Sequence, residues 1–124
     1  MINKTDLRIG NSVMYDNRIF QISAITDEFP LLNTAEFGIG VVDWNNIHPI
    51  PITEEALVKM GFECEYESPM HSMYHHEKSK ISYYFWHQKK EQDLQFFTVQ
   101  IPITSIHSLQ NAIYALTQTE LSYD

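Results

Sequence analysis

Alternating apolar and polar positions run through the first part of the chain and predict β-strands. The strands are expected at residues 12–15, 18–25, 38–44 and 46–50. Asp16 and Asn17 separate the first two strands and predict a two-residue hairpin turn, because both residue types tolerate positive φ. Pro49 and Pro51 end the fourth strand, since proline has no N–H to donate to a sheet.

The second part opens with a short helix. Thr53 is the predicted N-cap, and Glu54 and Glu55 occupy the first turn, where the helix dipole favours acidic side chains. Gly61 follows two turns later, where glycine accepts the left-handed conformation that ends many helices.

Three further strands and a loop are predicted beyond this helix. The strands cover residues 62–66, 80–87 and 94–101, and the last two should pair as a hairpin. Residues 67–80 are rich in Ser, Pro, His and Lys and are predicted to form an exposed connection.

A final helix is predicted at residues 105–117. Its apolar stripe has the spacing of one helix face and should pack on the sheet; the stripe consists of Ile106, Leu109, Ala112, Ile113 and Leu116. The side chains off this stripe are expected to be more exposed: His107, Ser108 and Gln110.

Together these elements predict a single α+β domain over residues 1–124 with antiparallel sheets. It comprises a β-rich subregion, residues 1–52, and an α+β subregion, residues 53–124. Two forms remain open for the β-rich subregion: an open sheet or a small SH3-like barrel.

Composition limits the compartment in which the protein is expected and the class of partner that it can bind. The chain has 124 residues, 44% of them apolar, which is enough for a packed core without disulfides or metals. With one cysteine, no signal peptide pattern and no membrane-length apolar run, we expect a cytoplasmic protein that does not enter membranes. A net charge of −8 argues against nucleic acid as a partner, because such binding depends on Lys and Arg contacts to phosphates.

Several histidines form the one cluster with metal-ligand chemistry. His71, His75 and His76 lie within six residues, with Cys64 and His87 nearby. These residue types can hold zinc with an open catalytic position, but their spacing matches no zinc signature. A solvated loop that carries histidines is the main interpretation, and a metal-dependent enzyme using residues 71–87 is the alternative.

Cys64 and its acidic neighbours give weaker evidence of a catalytic site. Carboxylates beside the thiol would oppose its ionisation, so Cys64 is interpreted as a buried or half-buried structural residue. Glu63, Glu65 and Glu67 occupy alternate positions and are expected on one solvent-exposed face of a strand. Acid–base catalysis would require one of these carboxylates to be desolvated, and nothing in the sequence indicates that.

Aromatic residues are concentrated in the predicted hairpin at residues 80–101. One hairpin face should be core, and the other is expected to carry Tyr84, Trp86, Gln95 and Phe97. If no helix covers it, Tyr84, Trp86 and Phe97 form a candidate interaction surface. Core packing on both faces is the main interpretation, and a protein interface and stacking on single-stranded nucleic acid are the alternatives.

Three segments have distinctive sequences: residues 7–11 (LRIGN), 49–62 (PIPITEEALVKMGF) and 106–117 (IHSLQNAIYALT). Together they resemble a family of small proteins of uncharacterised function from gut bacteria of the Bacteroidales type and their phages and prophages. Residues 63–93 are the least alike. The resemblance implies a bacterial or phage-associated origin and brings no activity, cofactor or site residue with it.

The sequence therefore predicts a non-enzymatic accessory or protein-interaction protein. No catalytic, cofactor-binding or metal-binding residue is assigned. A metal-dependent enzyme and a single-stranded nucleic-acid-binding module are the alternatives.

Overall fold

The computed structural model describes residues 7–25, 30–34, 38–41, 44–97 and 99–123. The chain divides into two compact units. The first comprises Met1–Pro51 and Ser105–Asn111, and the second comprises Ile52–Thr104 and Ala112–Asp124. None of the helices among the described residues is long and apolar enough to cross a membrane.

The first unit contains a five-stranded antiparallel sheet with strand order β4-β3-β2-β1-β5. Its strands are β1 Ser12–Tyr15, β2 Arg18–Ile25, β3 Pro30–Thr34, β4 Gly38–Val41 and β5 Ile47–His48. The β1–β2 turn has the predicted form, with φ of 50° at Asp16 and 60° at Asn17. Val13, Ile22 and Ile47 are almost fully buried and form the core of this unit.

The barrel expected as one alternative is not formed, because β4 and β5 remain separate edges of an open sheet among the described residues. The predicted strand at residues 38–44 is shorter than expected. Residues 42 and 43 lie outside the described residues, and Trp44–Asn46 forms a 3-10 helix. Strand β3 was not predicted, because its five residues lack a clear alternation.

A polar network joins residues near both ends of the chain within the first unit. Arg8 N donates locally to Asn11 Oδ1 at 2.6 Å, and Asn11 Nδ2 donates to the distant Asn111 Oδ1 at 2.8 Å. Gln110 Oε1 accepts from Ser12 N at 2.9 Å, and Arg8 Nε donates to Asn111 Oδ1 at 3.1 Å. Asn11, Ser12 and Gln110 are buried, so these bonds satisfy polar groups removed from water.

The second unit begins with helix α1, Glu54–Lys59. The Thr53 side chain accepts from Ala56 N at 3.1 Å, which confirms the predicted N-cap. Gly61 has φ of 97° directly after the helix, as predicted. Ala56 and Leu57 are the buried residues of α1.

A five-stranded antiparallel sheet follows, with strand order β10-β9-β8-β7-β6. Its strands are β6 Glu63–Glu67, β7 His71–His76, β8 Ile81–Trp86, β9 Glu91–Phe96 and β10 Val99–Ile101. Ile81, Tyr83 and Leu94 are fully buried on one face. The predicted pairing of the hairpin strands is confirmed by the β8–β9 ladder.

Two predictions about this sheet were wrong. The exposed connection at residues 67–80 contains β7, an interior strand in which Ser72, Tyr74 and His76 are buried. The single strand expected at residues 94–101 is divided into β9 and β10, which pair antiparallel around a turn at Phe97. Residue 98 lies outside the described residues.

Helix α2, Ile106–Thr117, is close to its predicted bounds. Ile106, Leu109 and Ile113 are fully buried, as predicted, whereas Leu116 is 39% exposed. The expected exposure of His107 and Gln110 was wrong, since both are buried. Gln110 is buried because its amide serves the polar network of the first unit, a partner that helical spacing does not reveal.

Candidate functional site

The second sheet has one face of apolar core and one face of mixed aromatic and polar side chains. Directly paired residues of an antiparallel ladder project to the same side. The ladder pairs Met73 with Tyr84 and Tyr84 with Asp93, which places all three on the side opposite to Tyr83. We call this side the open face; it includes His71, His75, Ser82, Trp86, Gln95 and Gln100.

Four rings on the open face form a continuous cluster, here called the aromatic patch: Tyr66, His71, Tyr84 and Trp86. The His71 ring stacks on Tyr66 with a centroid separation of 4.8 Å and lies 4.9 Å from Trp86. Tyr84 and Trp86 are nearly parallel, at 8° and 5.3 Å. Tyr66 is 50% exposed and the other three rings are half-buried. The patch therefore remains accessible, while its members support one another.

Asp93 fixes the orientation of Trp86. Its Oδ2 atom accepts from Trp86 Nε1 at 2.6 Å and from Gln100 Nε2 at 3.2 Å. Its Oδ1 atom accepts from Gln95 Nε2 at 3.3 Å. The two glutamine donors hold the half-buried carboxylate, and the carboxylate in turn holds the indole in place before any partner arrives, which lowers the entropy lost on binding.

Of the predicted interaction residues, Tyr84 and Trp86 lie together on the open face and Phe97 does not. Phe97 occupies the turn that precedes β10, with φ of 56° and 88% of its surface exposed. Its nearest described ring is that of Phe96, at 4.5 Å. Gln95 lies on the open face as predicted, opposite Ser82.

Sequence reasoning missed Tyr66 and His71 as members of the patch. His71 was assigned to a loop, although residues 71–76 alternate between half-buried and buried positions. The alternation was hidden because every second residue is Ser, Tyr or His rather than an aliphatic residue. Once β7 is recognised, its pairing with β8 places His71 opposite Trp86.

The histidines proposed as metal ligands are separated by the strand that contains them. His71 and His75 share the open face but are four residues apart, which corresponds to about 13 Å along a strand. His76 projects to the other face and is buried. Within the described ranges, no three His, Cys, Asp or Glu side chains are grouped so that they could hold a metal ion.

His75 and His76 have different partners and different environments. His75 Nδ1 lies 3.1 Å from Ser82 Oγ, and its Nε2 lies 3.4 Å from a carboxylate oxygen of Glu77. His76 Nδ1 accepts from Ser79 N at 3.2 Å, and its ring lies 5.1 Å from Phe62. Burial, assisted by the charge on His75, lowers the pKa of His76, so this imidazole is held in its neutral form.

Cys64 lies on the edge strand β6 and is exposed, so the expectation of a buried or half-buried cysteine was wrong. Its Sγ atom lies 3.7 Å from the carbonyl oxygen of Tyr66. Cys64 pairs with Tyr74, whose pKa is raised to about 12, mainly by burial and then by the charge of Glu54.

The expectation that Glu63, Glu65 and Glu67 share one face was also wrong. A register shift between Cys64 and Tyr66 leaves Glu65 without a ladder partner. Glu63 pairs with His75 on the open face, whereas Glu67 pairs with Ser72 on the opposite face. All residues of β6 are exposed, so these carboxylates are solvated.

A shallow groove of about 720 Å³ adjoins the aromatic patch at Trp86. It extends over the β8–β9 turn and β10; its lining includes Lys89, Lys90, Glu91, Asp93, Gln100 and Thr104. Trp86 is the one member of the aromatic patch that also lines the groove.

In comparisons with known proteins, no family model, curated protein or solved structure matches the chain.

Proposed function

We propose that this chain is a non-enzymatic interaction protein that binds a protein partner through the aromatic patch. The observation that supports this proposal is a continuous cluster of four partly exposed rings on a sheet face, with Trp86 already fixed by Asp93. Aromatic side chains are enriched at the energetic centres of protein interfaces, because they bury a large area with few rotatable bonds.

The charge distribution favours a protein over single-stranded nucleic acid. The strand positions of the open face carry carboxylates, including Glu63, Glu91 and Asp93, and the chain has a net charge of −8. Among the described residues of β6–β10, no strand position is Lys or Arg. Stacking on bases requires cations along the backbone path, and the strand positions of this face do not provide them.

The arrangement also gives little support to a metal-dependent enzyme. Such a site needs three protein ligands within about 2–2.3 Å of one point. His71 and His75 lie too far apart along β7, and His76 projects to the opposite face. We further propose a bacterial cytoplasm, or a mobile element within a bacterium, as the setting, on the strength of the resemblance of residues 7–11, 49–62 and 106–117.

Site-specific photocrosslinking tests this function. A photoreactive phenylalanine at Tyr84 should yield the same discrete protein adduct in repeated experiments with lysate of the organism that encodes the chain. The matched control carries the photoreactive phenylalanine in place of Tyr114, an exposed tyrosine on α2 that lies outside the patch.

A substitution within the aromatic patch provides the second part of this test. Trp86→Ala should reduce the yield of the Tyr84 adduct, because a hot-spot aromatic residue contributes at least about 2 kcal/mol to binding. If position 84 yields no reproducible adduct, or if the adduct is unaffected by Trp86→Ala, the aromatic patch does not bind a protein partner.

A further inference from the structure

The groove beside Trp86 is lined by polar groups that the fold itself leaves unused. Among the described residues, the side chains of Lys89, Lys90 and Glu91 take part in no hydrogen bond or ion pair. Gln100 uses its amide nitrogen to reach Asp93, which leaves its amide oxygen as an acceptor. Ammonium donors and carboxylate or amide acceptors therefore face the same shallow space.

The local charges of the groove balance. Two lysines and two carboxylates, those of Glu91 and Asp93, line it. A phosphate-rich ligand would meet the carboxylates, and a strongly basic peptide would meet the lysines, at a cost from like charges in either case. A neutral ligand that both donates and accepts hydrogen bonds is not repelled by either the lysines or the carboxylates.

Trp86 adds an aromatic surface to this polar lining, in an orientation fixed by Asp93. Aromatic rings have negative faces that attract weakly positive C–H groups. A pyranose ring has such C–H groups on its faces and hydroxyl groups around its edge, each of which can donate and accept. The groove volume of about 720 Å³ is within the range of small-molecule sites, about 300–1,000 Å³.

We propose that this groove binds a neutral saccharide: a pyranose ring lies against Trp86, and its hydroxyl groups bind Lys89, Glu91 and the Gln100 amide oxygen. This inference goes beyond the proposed protein partner. The groove and the aromatic patch share Trp86, and the polar groups of the groove are separate from Tyr66, His71 and Tyr84.

Tryptophan fluorescence provides a direct test. The chain has two tryptophans, so Trp44→Phe leaves Trp86 as the single indole. This protein is titrated with four neutral tetrasaccharides, those of cellulose, starch, mannan and xylan, up to about 10 mM, the range of weak specific binding. A saturable change with at least one of them is expected, and binding of tetragalacturonate and of the chitosan tetramer should be about tenfold weaker or absent.

Amide NMR of the wild-type chain provides a second measurement that does not depend on the Trp44→Phe variant. The same tetrasaccharide should shift the amide signals of residues 89–91 and of Gln100. Lys89→Ala and Glu91→Ala should each weaken binding by about tenfold, the loss of one well-formed hydrogen bond to a charged group. The matched control is Lys78→Ala, an exposed lysine outside the groove, which should leave affinity unchanged.

Three results would overturn the saccharide site: no saturable response to any neutral tetrasaccharide by either method, tighter binding of a charged oligomer, or unchanged affinity after both Lys89→Ala and Glu91→Ala. These outcomes are distinguishable from failure of the protein-partner proposal. The photocrosslinked adduct at Tyr84 reports on the aromatic patch and should persist in the Glu91→Ala variant.

Discussion

Replacing Leu109 by alanine tests the packing of α2 most directly. Leu109 is fully buried at the end of the first turn of the helix. Its truncation removes three side-chain carbon atoms from a dry environment and leaves a cavity that the surroundings fill only in part. Both effects act in the same direction, and together they should lower the free energy of unfolding by about 2–5 kcal/mol.

Leu116 supplies the matched control, since it lies on the same helix and undergoes the same chemical change. It is 39% exposed, so Leu116→Ala loses only part of the transfer free energy and leaves no enclosed cavity. We expect a cost of about 1 kcal/mol. Helix propensity changes equally in both variants, because both replace leucine with alanine, so the difference between them reports burial alone.

Urea denaturation followed by circular dichroism measures both variants. With an m-value of about 1.5–2 kcal/mol per molar urea, Leu109→Ala should lower the midpoint by about 1–3 M, and Leu116→Ala by about 0.5 M. If the two variants differ by less than about 0.5 kcal/mol in unfolding free energy, the burial of Leu109 does not stabilise the protein and α2 is not packed as described.

Three further substitutions test the remaining structural arguments. Gln110→Ala should cost about 1–3 kcal/mol in a urea melt, because Ser12 N loses its acceptor while buried; an unchanged midpoint would contradict the buried network. Gly61→Ala should cost about 1–2 kcal/mol in thermal melts, since φ of 97° is strained for alanine; a gain in stability would contradict the left-handed helix end. Because the pKa of His76 is lowered in the folded protein, the unfolded chain binds a proton at this residue at a higher pH than the folded protein does. The free energy of unfolding should therefore keep its full value above the ordinary histidine pKa of about 6.5 and decrease below it. Relative to His76→Gln, wild type should therefore lose more stability between about pH 7.5 and 5, and parallel pH profiles in urea melts would refute the assignment.

Local chemistry explains which elements could be predicted from the sequence. The Asp16–Asn17 turn and the Thr53 cap depend on residues adjacent in the chain, and their φ values and hydrogen bonds agree with the predictions. The same holds for α2, whose apolar spacing defines a helix regardless of its neighbours. These signals are short-range and require no knowledge of the tertiary structure.

The errors concern residues whose role depends on distant partners. Strand β7 was missed because its buried positions are Ser72, Tyr74 and His76, polar types that are buried here only because other strands surround them. Gln110 was expected to be exposed because its partner, Ser12, lies 98 residues away. Pattern analysis treats a polar residue as solvent-facing, and it therefore fails where buried polar groups are hydrogen-bonded.

Only two of the four residues of the aromatic patch could be predicted, because the other two reach it through pairing with distant strands. Tyr84 and Trp86 are neighbours on one strand and follow from alternation, whereas Tyr66 and His71 join them through two strand pairings and a bulge. Phe97 was included because residues 94–101 were treated as one continuous strand. The turn at Phe97 changes the direction of the chain, so continuing the alternation past Phe96 gives the wrong neighbours.

The buried polar network and the aromatic patch are built from different residues. Arg8, Asn11, Gln110 and Asn111 form the network of the first unit. Tyr66, His71, Tyr84 and Trp86 form the patch of the second unit. Because no residue belongs to both sets, substitutions at Tyr66 or Trp86 should weaken binding of a partner and leave the hydrogen bonds of the buried network intact.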